Sequence, residues 1–172
     1  METVEDKPWF FQVEPLEGES ISHFLGRFRR DNYLTPGELG KLAGIGWVVG
    51  RWEKFYLNPF PTKQELEALA SIVGVEIERL YQMLPSQGVV MQLKPIRLCA
   101  ACYGENPYHR LEWQFKERWG CDRHQLRLLA KCTNCETPFP VPALWVHGEC
   151  PHCFLPFATM AKRQKLLTRC DK

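Results

Sequence analysis

The sequence predicts a small α-helical and zinc-stabilised fold: an N-terminal all-α helix-turn-helix domain followed by tandem zinc-finger or zinc-ribbon modules. Two observations predict it. Capped segments with apolar residues at helical spacing recur between residues 20 and 88. Four Cys-x2-Cys or Cys-x2-His pairs then follow between residues 99 and 153, and such pairs are typical of structural zinc sites.

The composition suits one ordinary domain or two small ones, since the chain has 172 residues of which 45% are apolar. No run approaches the ~18 apolar residues of a membrane helix, and the acidic start at residues 1–6 is unlike a secretory signal. We therefore expect a cytoplasmic protein.

A reducing compartment favours metal over disulfides for clustered cysteines. Cys170, outside the pairs, is expected to be a free thiol in the tail.

The first helix is predicted over residues 21–31. Ser20 is a suitable N-cap residue, and Ile21, Leu25 and Phe28 follow at helical spacing. This amphipathic pattern predicts a helix with one face in a core.

An internal repeat follows, because residues 35–43 and 62–70 share the pattern T-x-x-E-L-x-x-L-A. Its first four positions form a capping box, in which the threonine and glutamate side chains accept hydrogen bonds from each other's backbone amides. After the second unit come Gly74 and an apolar face over 75–84; after the first comes a predicted helix over 47–55. Helix, glycine-containing turn and helix is the layout of a helix-turn-helix.

The predicted organisation has four parts and one linker. Pro85-Ser86-Gln87-Gly88 is the linker signal. The parts are an N-terminal arm at 1–19, a helix-turn-helix domain at 20–88, a tandem zinc-finger region at 93–160 and a basic tail at 161–172.

Eight residues are predicted to hold two structural Zn²⁺ ions, because a closed zinc site takes four Cys or His ligands in a tetrahedron. Sequential pairing is the simpler interpretation. A cross-brace, which joins the first pair to the third and the second to the fourth, is also within reach across the seven residues between His124 and Cys132. The predicted ligands are Cys99, Cys102, Cys121 and His124, then Cys132, Cys135, Cys150 and Cys153.

Short strands are expected to join the paired ligands. Residues 111–115 alternate as a strand does, and residues 139–141 and 144–146 suit the strands of a zinc ribbon. His109 and His147 are expected to be ordinary polar residues, because both quartets are already full.

Catalysis is not expected. His147-Gly148-Glu149 directly precedes Cys150-Pro151-His152-Cys153, which superficially resembles a nucleobase deaminase signature, but there the two halves lie on separate helices. The chain has only four aspartates, and two of them lie near the termini, so a carboxylate-held metal centre of the nuclease kind is not supported. No G-x4-G-K-[ST] phosphate loop occurs.

The charge distribution argues against a protein that holds bare DNA alone. The formal net charge is +2, with 9 Lys and Arg against 13 Asp and Glu in residues 1–90, and 13 against 7 in residues 91–172. Seven zinc-bound thiolates and two Zn²⁺ together carry −3, which brings the whole chain to about −1. Proteins that grip duplex by themselves usually show a strong basic excess.

Three stretches resemble the TniQ family of transposition proteins. Residues 15–25 are similar to its opening P-x-x-G-E-S-x-x-S-x-L block, with His23 where a serine is common. The helix-turn-helix units are the second stretch. The third runs from Cys99 through Trp113-Gln114 to Cys135. The chain ends soon after the second quartet, which is similar to the short form of the family in type V-K CRISPR-associated transposons.

The resemblance implies a non-catalytic adaptor of RNA-guided transposition, in a bacterial cytoplasm and on the nucleoid when assembled. Such an adaptor joins a nuclease-inactive CRISPR effector and its guide RNA to an AAA+ ATPase regulator of the TnsC type that forms filaments on DNA. Target DNA is then contacted through the complex. The alternative is a free-standing zinc-containing helix-turn-helix transcription regulator, which would bind a specific duplex alone.

Side-chain chemistry indicates two groups of candidate contact residues. The candidates for binding partner proteins are Trp9, Phe10, Arg27, Arg30, Arg51 and Lys54. The candidates for binding RNA or DNA are Arg97, Arg118, Arg123, Arg127 and Lys131.

Overall fold

A computed structural model of the protein describes residues 10–168. The described chain is mostly helical, with one small antiparallel hairpin. None of its helices combines the length and apolarity that crossing a membrane requires. The α-helices are α1 (Ile21–Asp31), α2 (Pro36–Leu42), α3 (Val48–Trp52), α4 (Lys63–Val73), α5 (Ile77–Gln82) and α6 (Ala100–Glu105), the strands are β1 (Gly120–Cys121) and β2 (Leu126–Arg127), and 3-10 turns cover Leu111–Gln114, Pro142–Leu144 and Phe157–Arg163.

Helix α1 has the predicted bounds and cap. The Ser20 hydroxyl accepts from the His23 amide, which satisfies a backbone donor that the helix itself leaves unpaired. Phe24 and Phe28 on its apolar face are fully buried. Phe10, from the predicted arm, lies edge-on against Phe28 with ring centroids 6.0 Å apart. Trp9 and Cys170 lie outside the described residues.

Both units of the repeat fold as predicted. Thr35 with Glu38, and Thr62 with Glu65, form complete capping boxes at the starts of α2 and α4. Gly74 ends α4 in the left-handed region at φ 70°, a conformation that glycine adopts without steric cost.

Helix α3 is shorter than the predicted 47–55, because it ends at Trp52. The backbone of Phe55 adopts φ 61°, which a right-handed helix cannot contain. The chain therefore leaves the helical path at Phe55. The Phe55 side chain packs in the hydrophobic core of the C-terminal region rather than among α1–α5.

The strands predicted for the C-terminal region are wrong. Residues 111–114 form a 3-10 turn in which Trp113 and Gln114 are both fully buried, whereas a strand would send consecutive side chains to opposite faces. Residues 142–144 also form a 3-10 turn that begins at Pro142. The prolines nearby cannot donate to a β-ladder.

The helical and C-terminal regions pack directly against each other through α1 and residues 142–144. The Ser22 hydroxyl donates to the Glu53 carbonyl at 2.6 Å and accepts from the Ala143 amide at 3.1 Å. The Arg30 guanidinium donates to the Ala143 carbonyl at 2.6 Å. These hydrogen bonds fix α1 to the loop that precedes the last cysteine pair.

His109 lies in this contact region and is fully buried. Its Nδ1 lies 2.9 Å from the Ser20 hydroxyl, and its carbonyl accepts from the Ser20 amide at 3.0 Å. Its ring meets Trp113 and Trp145 edge-to-face, with centroids 5.4 and 5.2 Å apart. Burial therefore lowers the pKa of His109 well below its usual range.

The protein is expected to lose stability as the pH falls below about 6.5, the pKa of histidine in an unfolded chain. Above that value His109 is neutral in both states. Below it, only the unfolded chain takes up the proton, so the free energy of unfolding falls with a slope of up to about 1.4 kcal/mol per pH unit from this residue.

Urea titrations between pH 5.5 and 7.5, with metal content checked at each pH, measure that slope. His109→Gln removes the titrating group, so its slope should be shallower than that of the native chain. Equal slopes would show that His109 is not the source of the pH dependence.

Candidate metal centres

The first candidate centre is a cluster of Cys99, Cys102, Cys121 and His124, whose ligand atoms all lie within 4.8 Å of one another. Cys99 precedes α6 and Cys102 lies in its first turn. Cys121 ends β1, and His124 lies in the turn that leads to β2. Helix α6 and the hairpin thus each supply one pair of side chains.

The His124 ring points its Nδ1 atom into this cluster. Nδ1 lies 3.2 Å from the sulfur of Cys102, 3.6 Å from that of Cys121 and 3.9 Å from that of Cys99. The sulfurs of Cys102 and Cys121 are 3.4 Å apart. Nδ1, and not Nε2, is therefore the nitrogen available to a metal.

The second candidate centre is a cluster of Cys132, Cys135, Cys150 and Cys153, with sulfurs again within 4.8 Å of one another. Cys132 lies 3.6 Å from Cys153, and Cys135 lies 3.5 Å from Cys150. Both clusters follow the sequential grouping, and the structure does not bring together the cross-braced sets.

The donor sets fit tetrahedral zinc. Zinc–sulfur bonds of about 2.3 Å in a tetrahedron place sulfurs about 3.8 Å apart, close to the separations in both clusters. Each cluster offers four Cys or His donors, which is the composition of a closed structural site.

Packed thiols without a cation cannot all ionise. A hydrogen bond with Cys121 raises the pKa of Cys102, and the same contact lowers the pKa of Cys121. In the second cluster, hydrogen bonding to Thr137 lowers the pKa of Cys135 to about 5, whereas burial raises that of Cys150 to about 11. A dication among the sulfurs would favour the thiolate form throughout.

Most of the predicted nucleic-acid contacts already have partners within the chain. Arg97 is only 4% exposed, and its guanidinium donates to the carbonyls of Phe115 and Arg118. Arg118 pairs with Glu112 and Asp122, Arg123 with Glu105, and Lys131 with Glu136. Arg127 is exposed. Internal contacts thus engage the cations of Arg97, Arg118, Arg123 and Lys131.

The predicted partner contacts are also mostly engaged. Arg27 binds both carboxylate oxygens of Glu19, at 2.8 and 2.7 Å. Arg30 holds the loop at Ala143. Arg51 donates to the Asn58 carbonyl and lies over the Trp47 ring, 5.1 Å from its centroid. Lys54 is exposed, and Phe10 is half-buried.

Two carboxylates with structural roles were not singled out from the sequence. Glu19 is fully buried and lies 2.5 Å from His23 Nδ1 as well as bonding Arg27. Glu105 contacts a predicted metal ligand, His124, at 2.8 Å. The spacing Cys99-x2-Cys102-x2-Glu105 is the sequence signal that places Glu105 on the helix that begins at this ligand pair.

Comparison with known protein families decides the assignment of the chain. The family model described as TniQ matches residues 10–128, which covers the helical region and the whole first cluster. The chain belongs to the TniQ family. TniQ proteins are non-catalytic components of transposition, so membership implies a transposition-associated adaptor role. The second cluster lies beyond the matched residues. No curated protein matches the chain.

The residues of the block at 15–25, which resembles the opening of TniQ sequences, have structural roles in this chain. Glu19 and Ser20 of that block bond to His23 and His109, and Ser22 bonds to Ala143. The block therefore ties α1 to the C-terminal region. His23, at a position where serine is common in the resembling block, is buried with its Nδ1 atom 2.5 Å from the Glu19 carboxylate.

Proposed function

We propose that the two clusters bind two Zn²⁺ ions in structural sites. Four donors surround each position, and cysteines of both clusters form part of the C-terminal core. In such sites the ion replaces the extensive secondary structure that a small region lacks. Bound zinc supplies structural cross-linking between the paired ligands.

We propose further that the protein is an adaptor that joins an RNA-guided CRISPR effector at its target to an AAA+ ATPase regulator of the TnsC type. The observation that carries this proposal is the engagement of the predicted cations by groups of the chain itself. Carboxylates beside these cations offset the local positive field that attracts phosphate, so the isolated protein is expected to bind duplex weakly. Tight binding to DNA is therefore expected from the assembled complex.

Exposed aromatic side chains support a role in protein assembly. Tyr33 is 91% exposed and Trp47 71% in the helical region, and Phe11, ahead of α1, is 70% exposed. Aromatic residues are enriched in the cores of protein interfaces. Trp47 is also held in place by Arg51, which reduces the entropy that a partner would have to overcome.

A gel-shift series from 50 to 300 mM salt tests the adaptor against the free-standing regulator. The isolated protein is expected to bind duplex DNA feebly and without sequence preference. It is expected to join a stable complex when the ATPase regulator, the effector and its guide RNA are all present.

In the same assembly assay, Trp47→Ala and Tyr33→Ala should weaken complex formation. Lys63→Ala is a surface control that should leave it unchanged, because the pairing of Lys63 with Glu67 is exposed. Specific nanomolar binding of the isolated protein to one duplex, falling steeply as salt rises, would contradict the adaptor and favour the regulator.

A further inference from the structure

The Glu105 carboxylate contacts the outer ring nitrogen of His124, a ligand of the first metal centre. It belongs to the last residue of α6, the helix that carries Cys102. One oxygen lies 2.8 Å from Nε2 of His124, and the other lies 2.8 Å from the Arg123 guanidinium. A single side chain therefore connects the helix that carries one pair to the turn that carries the other.

The two nitrogens of His124 face different groups. Nδ1 faces the three sulfurs, while Nε2 faces Glu105. A neutral imidazole carries its proton on only one nitrogen. A metal can take the lone pair of Nδ1 only when the proton lies on Nε2. The Nε2–H group then donates a hydrogen bond to the carboxylate.

We propose that Glu105 is a positioning residue of the first zinc site, which selects the tautomer of His124 and orients its ring toward the metal. This inference rests on the proposed zinc binding. The side chain of Glu105 is 40% exposed, so its ion pair alone contributes little to the stability of the fold. Its effect is exerted through the ligand.

The second cluster supplies an internal comparison. Its ligands are all cysteines, which have no second ring nitrogen to orient. Glu136 follows Cys135 directly and pairs with Lys131 at 3.1 Å. Glu136 is thus an exposed carboxylate beside a metal ligand, in an ion pair that does not include the ligand.

The test measures zinc release from the full chain with a chromogenic chelator, after the zinc content of the native protein is counted. With Glu105→Ala, one of the two ions should bind 10- to 100-fold more weakly, the range found for lost partners of metal-ligating histidines. The other ion should be unchanged. Glu105→Gln should recover part of the loss, because its amide oxygen still accepts from Nε2. Glu136→Gln should leave both affinities unchanged.

Long-range ¹⁵N correlation spectra of the histidines provide a readout that a general loss of stability would not produce. In the native protein His124 should carry its proton on Nε2, with a low-field resonance that moves in Glu105→Ala. Arg123→Ala removes the other contact of Glu105 and should weaken zinc binding less.

Three results would overturn the proposal: equal loss from both sites in Glu105→Ala, an unchanged first site, or an Arg123→Ala variant as weak as Glu105→Ala. A native protein without zinc would instead remove the proposed metal function, and this inference with it. The zinc count made at the start distinguishes these failures.

Discussion

Gly26→Ala is expected to destabilise the protein by about 3 kcal/mol, at the upper end of the usual cost of overpacking a core. Gly26 lies in the middle of α1 and is buried against the 3-10 turn at residues 142–144. A Cβ atom there would lie 2.4 Å from the Ala143 carbonyl oxygen and 2.5 Å from its Cα. Both are backbone atoms, so no rotation of a flexible side chain relieves the clash.

The cost should extend beyond the clash itself. If α1 moves away from Ala143, the hydrogen bonds from Arg30 and to Ser22 lengthen at the same time. Both groups are partly or fully buried, and a buried donor or acceptor that loses its partner is costly. The helical and C-terminal regions should then unfold less cooperatively.

Gly37→Ala is the matched control, because Gly37 is also helical and a Cβ atom added to it would meet nothing within 4 Å. Alanine is the better helix former by up to about 1 kcal/mol, so this variant should be as stable as the native chain or slightly more so. Urea unfolding followed by circular dichroism and by tryptophan fluorescence measures both variants. Equal stabilities for the two would show that the close contact at Ala143 does not form.

The parts of the fold that were predicted correctly have local causes. A capping box needs only four consecutive residues, so the starts of α2 and α4 could be predicted from the sequence that follows Thr35 and Thr62. The four pairs of metal ligands could likewise be recognised from the two residues between their members, although these spacings left open how the pairs group into clusters. Both signals reside in contiguous sequence, and no distant contact overrides them.

The parts that were not predicted depend on contacts between distant residues. Residues 111–115 alternate as a strand would, but Gln114 turns inward because its amide bonds the Arg97 amide and the Gln92 carbonyl. Arg97 looks like a surface cation in the sequence, and only the fold shows that two carbonyls hold it inside. His109 likewise becomes a core residue because Ser20, 89 positions earlier, bonds to it.

Removal of metal is expected to have the largest effect on the C-terminal region. Its regular strands, β1 and β2, are only two residues long, and its core includes Cys99, Cys102, Cys121, Cys132 and Cys150. Structural zinc commonly contributes about 10–16 kcal/mol of apparent binding free energy, which is also folding free energy. A strong chelator should therefore release two zinc ions per chain and unfold this region.

Helices α1–α5 should largely survive that treatment, because they bury a core of their own around Phe24, Phe28 and Leu69. Circular dichroism should retain most of its helical signal, while the fluorescence of Trp113 and Trp145, both buried in the C-terminal core, should shift to longer wavelength. The helices should melt at lower temperature than in the native protein, because α1 loses its contact with Ala143.

Single cysteine variants locate the effect. Cys150→Ser removes a fully buried ligand of the second cluster, so the chain should bind one zinc and expose Trp145, which precedes that ligand in the same core. Cys170→Ser, outside both quartets, should keep two zinc ions and native fluorescence. If Cys150→Ser still bound two ions, or if the chelator left the tryptophans buried, the C-terminal region would not depend on metal for its fold.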